Sequence, residues 1–281
     1  FLEEGKQKVT LDEIISAIGV DPYYREENGV IFLGDCRELL KRFPRECLDL
    51  VATDPAYESL RKWEGIGMTA RMGLGKKGTA ADDPTKFFAT INNADFAAVL
   101  GELYEILKDD CHAYVMCDTG TLPFIYYILG YRLWCSPCIY NDEGGVIPFS
   151  NIKPLVWDKV NPGMGYHYRC QYEFIFMLDK GKNRRLADLG IPDVLRVPRV
   201  AGIDREVPTQ KPVALFETLV RQSSVDHEIV LDPFAGSGTT CVAAKHLGRK
   251  YIGIEIHEPY AGIAVRRLKN HQRELKFTEA E

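Results

Sequence analysis

No uninterrupted apolar run in this chain approaches the roughly 18 residues of a membrane-spanning helix, so no such span is expected. The N-terminus, Phe1-Leu2-Glu3-Glu4-Gly5-Lys6, is charged and has no apolar signal-peptide core. It also lacks an initiator Met. Native residues are therefore expected ahead of Phe1, and the expected setting is the cytoplasm. A dominant charge is missing too: 35 Lys and Arg stand against 40 Asp and Glu, a net charge of −5. That balance argues against coating nucleic acid through bulk charge, and it leaves room for a local basic groove. Of the eight cysteines (36, 47, 111, 117, 135, 138, 170 and 241), only 135 and 138 stand two residues apart. No second Cys or His pair lies nearby to complete a zinc tetrahedron, so no metal site is expected. The thiols read as reduced and mostly buried small hydrophobes. Internal repeats and low-complexity tracts are absent, and an ordinary composition excludes extended disorder and small disulfide scaffolds.

What is present is an alternation of strands and helices over 281 residues, enough for one large α/β domain or two smaller ones. Thr10-Leu11-Asp12-Glu13 is a capping box that opens a helix closed by Gly19, and residues 1–29 read as an N-terminal appendage. Strands are predicted at 30–33, 48–53, 113–116, 152–157, 172–178, 229–231 and 251–255. Helices are predicted after Asp35, at 93–107, at 212–222 and from Thr240 to Leu247. The order implies a doubly wound, Rossmann-like, mostly parallel sheet with helices on both faces. Residues 30–179 and 208–270 would form the catalytic domain, and 180–207 a small recognition insertion. Residues 58–84 would be a mobile loop beside the site.

Two motifs carry chemistry. In the first, the strand Ile229-Val230-Leu231 runs into Asp232-Pro233-Phe234-Ala235-Gly236-Ser237-Gly238-Thr239 and then a helix. Glycines there let backbone approach a ligand, and a helix start offers free amides. Seventeen residues past Gly238, the next strand ends in Glu255, where nucleotide folds place a carboxylate for ribose hydroxyls. The third glycine of the dinucleotide fingerprint and a Gly-Lys-Thr phosphate loop are both absent, so a ligand with a ribose and no polyphosphate fits. The second motif, Asp54-Pro55-Ala56-Tyr57, stands at the carboxyl end of a strand. Asp54 and the Pro55 carbonyl can accept hydrogen bonds from the amino group of a flat base, and Tyr57 can stack on it.

In this order the motifs resemble the β-class S-adenosylmethionine-dependent DNA amino-methyltransferases. In that family an Asp-Pro-Pro-Tyr tetrad precedes a Phe-x-Gly-x-Gly cofactor loop. The resemblance covers roughly 30–260 and takes in Leu33-Gly34-Asp35-Cys36, Val156-Trp157-Asp158-Lys159, Tyr172-Glu173-Phe174-Ile175 and Thr209-Gln210-Lys211-Pro212. It implies catalysis by Asp54, Pro55, Ala56 and Tyr57. It also implies a cofactor pocket from Asp35, Cys36, Asp54, Lys211, Asp232, Phe234, Ala235, Gly236, Ser237, Gly238, Thr239 and Glu255. In that pocket Asp35 would meet the adenine, Lys211 the methionine carboxylate and Glu255 the ribose. Ala56 departs from the family's second Pro, which loosens the expectation for the target base. Asp rather than Ser at the head of the tetrad favours adenine-N6 over cytosine-N4.

Double-stranded DNA is the expected partner, with contacts from two locally basic stretches. The first supplies Arg61, Lys62, Lys76 and Lys77, the second Lys182, Arg184, Arg185, Arg196 and Arg199. Both stretches are expected to be poorly ordered without DNA. A homodimer and a cognate restriction enzyme, in a prokaryotic or virus-infected cell, complete what the resemblance implies. Three alternatives stay open: cytosine-N4 methylation, a non-catalytic DNA- or nucleotide-binding subunit, and methylation of RNA or a protein glutamine. Pro137-Cys138 suggests the cytosine-C5 enzymes, but their glycine loop precedes the cysteine and here it follows.

Overall fold

The computed structural model describes residues 9–58, 90–129, 147–163, 167–207 and 209–278. The predicted capping box forms: the Thr10 hydroxyl accepts from the Glu13 amide at 3.2 Å, and the Glu13 carboxylate accepts from the Thr10 amide at 2.7 Å. Helix α1 (Leu11–Ile18) then ends at Gly19, whose φ of 65° terminates it in the left-handed region. Leu11, Ile14, Ile15 and Ile18 share one face of the helix and pack into the main core. Strand β1 (Tyr24–Glu26) pairs antiparallel with β2 (Gly29–Leu33). The described part of 1–29 is thus built into the domain, against the expectation of an appendage.

Seven further strands follow: β3 (Leu48–Thr53), β4 (Leu107–Cys117), β5 (Asn151–Asp158), β6 (Tyr172–Lys180), β7 (Val194–Arg196), β8 (Ile229–Asp232) and β9 (Lys250–Glu255). Among the described residues they form one sheet in the order β1-β2-β9-β8-β3-β4-β6-β5-β7. The run from β2 to β4 is parallel, β6 is antiparallel to both neighbours, and β5 and β7 are parallel to each other. Every residue of β3 is buried, as a central parallel strand requires. Its one carboxylate, Asp49, is satisfied by Lys108 Nζ at 2.6 Å and the Ile229 amide at 2.9 Å.

Helices cover both faces. With α1, one face carries α2 (Cys36–Leu39), α3 (Asn93–Ile106) and α4 (Leu122–Ile128). The other carries α5 (Val213–Ser223), α6 (Thr239–His246) and α7 (Glu258–Thr278). The α/β doubly wound fold is as the alternation implied. Cys36, Cys47, Cys111, Cys117 and Cys241 are buried and Cys170 is exposed, while Cys135 and Cys138 lie outside the described residues. No helix among the described residues is long and apolar enough to cross a membrane. The 180–207 segment, expected to lack order, contains β7, which pairs with Val156, Trp157 and Asp158.

Candidate active site

Because β2, β9, β8 and β3 run parallel, the residues that follow or end them meet at one edge of the sheet. That edge carries Asp35, Glu255, the loop 233–238 and Asp54. Asp35, Asp54, Glu255 and residues 233–237 of the loop line one cleft of about 1090 Å³, its open mouth included, together with Cys36, Lys211, His257 and Tyr260.

The glycine loop is fixed from three directions. Gly236 and Gly238 hold φ of 53° and 76°, a region that favours glycine, and a Cβ at Gly238 would stand 2.8 Å from Ala264 Cβ. Glu255 accepts the Gly236 amide at 2.7 Å and the His257 amide at 2.8 Å, and its burial raises the carboxyl above its ordinary value. Asp232 accepts from Thr53 Oγ1 at 2.7 Å, Thr240 Oγ1 at 2.6 Å and the Phe234 amide at 3.0 Å. These bonds make Asp232 the staple between the loop and the strand that leads to Asp54. Burial pushes its carboxyl up to about 6 despite the three donors.

The tetrad divides. Asp54 and Ala56 line the cleft, whereas Pro55 and Tyr57 are buried beneath it. Tyr57 packs edge-on against Phe96, ring centroids 5.8 Å apart, and its hydroxyl has no hydrogen-bond partner. The face expected to stack on a base is therefore turned into the core, held by the bridge between Tyr57 and Ile91. Ala56, where a second Pro was expected, has its carbonyl bound by the Ile91 amide at 2.9 Å. Lys211 donates to Asp54 and stands 3.4 Å from Glu173, which in turn pairs with Lys159 at 2.7 Å. Burial alone would lower Lys211, but the two carboxylates outweigh it and hold the ammonium above its ordinary value. Burial would raise Glu173, but its two lysines hold it below the usual carboxylate range; burial keeps Asp54 raised. Asp35 caps α2 and is clasped by the Arg37 guanidinium, which lowers its carboxyl, so its lone pairs are partly used before any ligand arrives. Burial pushes the neighbouring Cys36 thiol up to about 12.

The basic residues separate by edge. Lys182, Arg184 and Arg185 follow the end of β6, which runs opposite to β3, so they stand at the edge away from Asp54. The length of β6 puts about 30 Å between the two edges. Arg184 is further tied to Glu228 and to Cys111 Sγ, at 3.2 Å for the latter. These three residues therefore stand apart from the cleft. Arg196, which ends the strand parallel to β5, and Arg199 beyond it are exposed at the edge that carries the cleft. Arg61, Lys62, Lys76 and Lys77, with most of the 58–84 loop, lie outside the described residues.

Several site residues carried no local signal in the sequence. Arg267 on α7 donates to the Ser237 carbonyl at 2.6 Å and to Thr239 Oγ1 at 3.2 Å, bracing the loop from a helix that begins 20 residues after Gly238. His257 Nδ1 is buried on the cleft wall without a partner, and its ring meets Tyr260 at 4.6 Å. The pattern of an acid-ended strand pointed to Glu255 and stopped there.

Comparison with known proteins places these features. Residues 190–266 match the family model described as DNA methylase, of the N6/N4 type. YubD of Escherichia coli (strain K12), named a putative methylase, is 30% identical over 243 residues, covering 86% of this chain and 91% of the relative. YhdJ of the same organism, named a DNA adenine methyltransferase, is 29% identical over 280 residues, covering 87% and 84%. Among solved structures, the PvuII DNA methyltransferase (cytosine-N4-specific) superposes with a TM-score of 0.60 at 19% identity, covering 89% of each chain. The M1.HpyAVI–SAM complex gives 0.58 at 22% identity, covering 85% of this chain and 98% of that one. At these identities the two structures speak for the fold.

Proposed function

The chain belongs to the N6/N4 family of DNA methylases, and on that premise we propose that it transfers a methyl group from S-adenosylmethionine to N6 of adenine in double-stranded DNA. The observation that carries the reading is the convergence of Asp54, the glycine loop and Glu255 on one cleft. Asp at the head of the tetrad favours adenine, and the name of YhdJ points the same way. The second reading is N4 of cytosine, the specificity in the name of the PvuII enzyme.

The residues of the cleft fit S-adenosylmethionine. Each Glu255 oxygen accepts one backbone amide and keeps a lone pair for a ribose hydroxyl. The two glycines leave the loop without bulk, and Lys211 offers a cation to the carboxylate of the methionine end. When bound, the cofactor supplies an electrophilic methyl group on a sulfonium. The target amine is a weak nucleophile because its lone pair conjugates with the ring. Asp54 and the Pro55 carbonyl accept its N–H bonds, draw the nitrogen towards tetrahedral geometry and stabilise the positive charge that develops there. To do so Asp54 gives up part of its contact with Lys211, which keeps Glu173. The chain forms no covalent bond to the base, and the proton released from nitrogen passes to water. The target base is flipped out to reach this edge, with Arg196 and Arg199 on the phosphate path. The short recognition segment favours a homodimer, and a cognate restriction enzyme belongs to the same reading.

Nucleoside mass spectrometry after incubation with S-adenosylmethionine and DNA tests the assignment. N6-methyladenine is expected, N4-methylcytosine would move it to the second reading, and neither product would overturn both. Asp54→Ala should cut the rate by about 10²–10³ or more, the scale of removing one preorganised transition-state hydrogen bond, while calorimetry still detects the cofactor.

A further inference from the structure

We propose that Glu173 and Lys159 are positioning residues for methyl transfer, forming with Lys211 a chain of alternating charge that fixes where Asp54 sits and which charge it carries. The inference rests on the reading of Asp54 as the group that meets the target amine. Glu173 stands second in β6, in register with Trp157 of β5, so it rises at the edge that carries the cleft although it lies far from Asp54 in sequence. Its two oxygens serve different lysines: Oε1 takes Lys159 Nζ at 2.7 Å and Oε2 faces Lys211 Nζ at 3.4 Å. Lys211 then reaches Asp54 Oδ2. The lysine side chains are 13% and 12% exposed and both carboxylates 24%, so the four charges are largely withdrawn from water and balance one another.

An arrangement of this kind has a stability cost that apolar residues of equal size would avoid. Its geometry nevertheless ends on the one carboxylate the chemistry needs. One lysine is shared between two carboxylates, and Lys159 decides the competition. With Lys159 in place, Glu173 is satisfied from its other side and releases Lys211 towards Asp54. Other groups face Asp54 as well: Tyr57 from its own loop, Asp232 from β8, and Cys117 at the end of β4. Glu173 and Lys159 differ from these in acting on Asp54 with opposite signs. The negative charge of Glu173 raises the Asp54 carboxyl, and the positive charge of Lys159 lowers it.

That opposition is the test. In the full chain with 13C-carboxyl aspartate, the Asp54 signal is identified by its loss in Asp54→Asn and titrated without cofactor or DNA. Glu173→Gln should move the midpoint to lower pH and Lys159→Met to higher pH, while Glu173→Asp, which keeps the charge, should stay near wild type. In turnover assays Glu173→Gln should lower kcat by up to about 10²-fold, the scale of a misplaced group, with the KM for S-adenosylmethionine within about threefold. Shifts in the same direction for both neutralising variants, or no shift in either, would overturn the proposal. So would an unchanged kcat. If Glu173→Gln does not fold by circular dichroism, the direction of the Lys159→Met shift decides alone. Failure of the wild-type chain to methylate DNA would instead count against the functional reading, and the titration would still report on the network.

Discussion

Glu255 is oriented before any ligand arrives, because the amides of Gly236 and His257 each hold one of its oxygens. Glu255→Ala removes the proposed ribose contacts, worth about 1.5–3 kcal/mol each as hydrogen bonds to a charged group, and frees two amides that shape the loop. Affinity for S-adenosylmethionine should fall at least about tenfold by calorimetry; an unchanged value would remove Glu255 from the cofactor site. Asp232 makes a different prediction. Its folded carboxyl titrates at about 6 against an ordinary 3.8, so the folded chain holds the proton more tightly than the unfolded one. Stability from this group is therefore highest below that window and falls as pH rises through it, by up to about 3 kcal/mol. Asp232→Asn keeps the shape, can still bond Thr53 and Thr240, and should flatten the pH dependence of urea unfolding between roughly pH 4 and 7. A profile as steep as wild type would mean another group titrates there.

At the scale of elements, the glycine loop and α6 form one unit clamped between β8 and α7. Gly238 begins α6 in a left-handed conformation and lies against Ala264 of α7, so helix and loop cannot separate without opening that contact. Gly238→Ala combines an unfavourable φ with a Cβ too close to Ala264, a strain on the order of 1–3 kcal/mol before any relaxation. Thermal unfolding should show a lowered Tm together with weakened cofactor binding, since the displaced part is the cradle itself. Reduced stability with intact binding would place the strain elsewhere. Arg267 braces the same loop through Ser237 and Thr239, so α7 supports the site from behind the loop as well as lining the cleft with Tyr260.

For the whole molecule, the sheet has an edge that carries the cleft and a far edge, and on the proposed reading DNA over the cleft is expected to meet only the first. Arg196 and Arg199 stand at the first; Lys182, Arg184 and Arg185 stand at the other. Neutralising Arg196 and Arg199 together should reduce the salt dependence of DNA binding by up to about 0.9 in log–log slope for each phosphate that no longer meets a cation. Neutralising Lys182 and Arg185 should leave that slope unchanged. Arg184→Ala should also leave the slope alone and lower stability by on the order of 1–3 kcal/mol, because it breaks a largely buried pair with Glu228. Equal effects from the two edges would show that the duplex wraps around the molecule.

The sequence by itself determined the alternation of elements, the α1 cap and closing glycine, the glycine turn, the acid-ended β9 and the strand that delivers Asp54. Each of these is written within a few neighbouring residues, through hydrogen bonds and dihedral preferences that act locally. The short β7, the incorporation of residues 10–29 into the core and the long α7 escaped it, because their stability comes from pairing and burial against distant partners. Charge counted along the chain could not assign Lys182, Arg184 and Arg185 to an edge, since that depends on β6 running against its neighbours. Nor could a motif reveal that Tyr57 turns inward, or that Lys211 sits between Asp54 and Glu173. Asp54 is separated from Lys211 by 157 residues, and only the packing of β3, β6 and the approach to α5 brings their charges within reach.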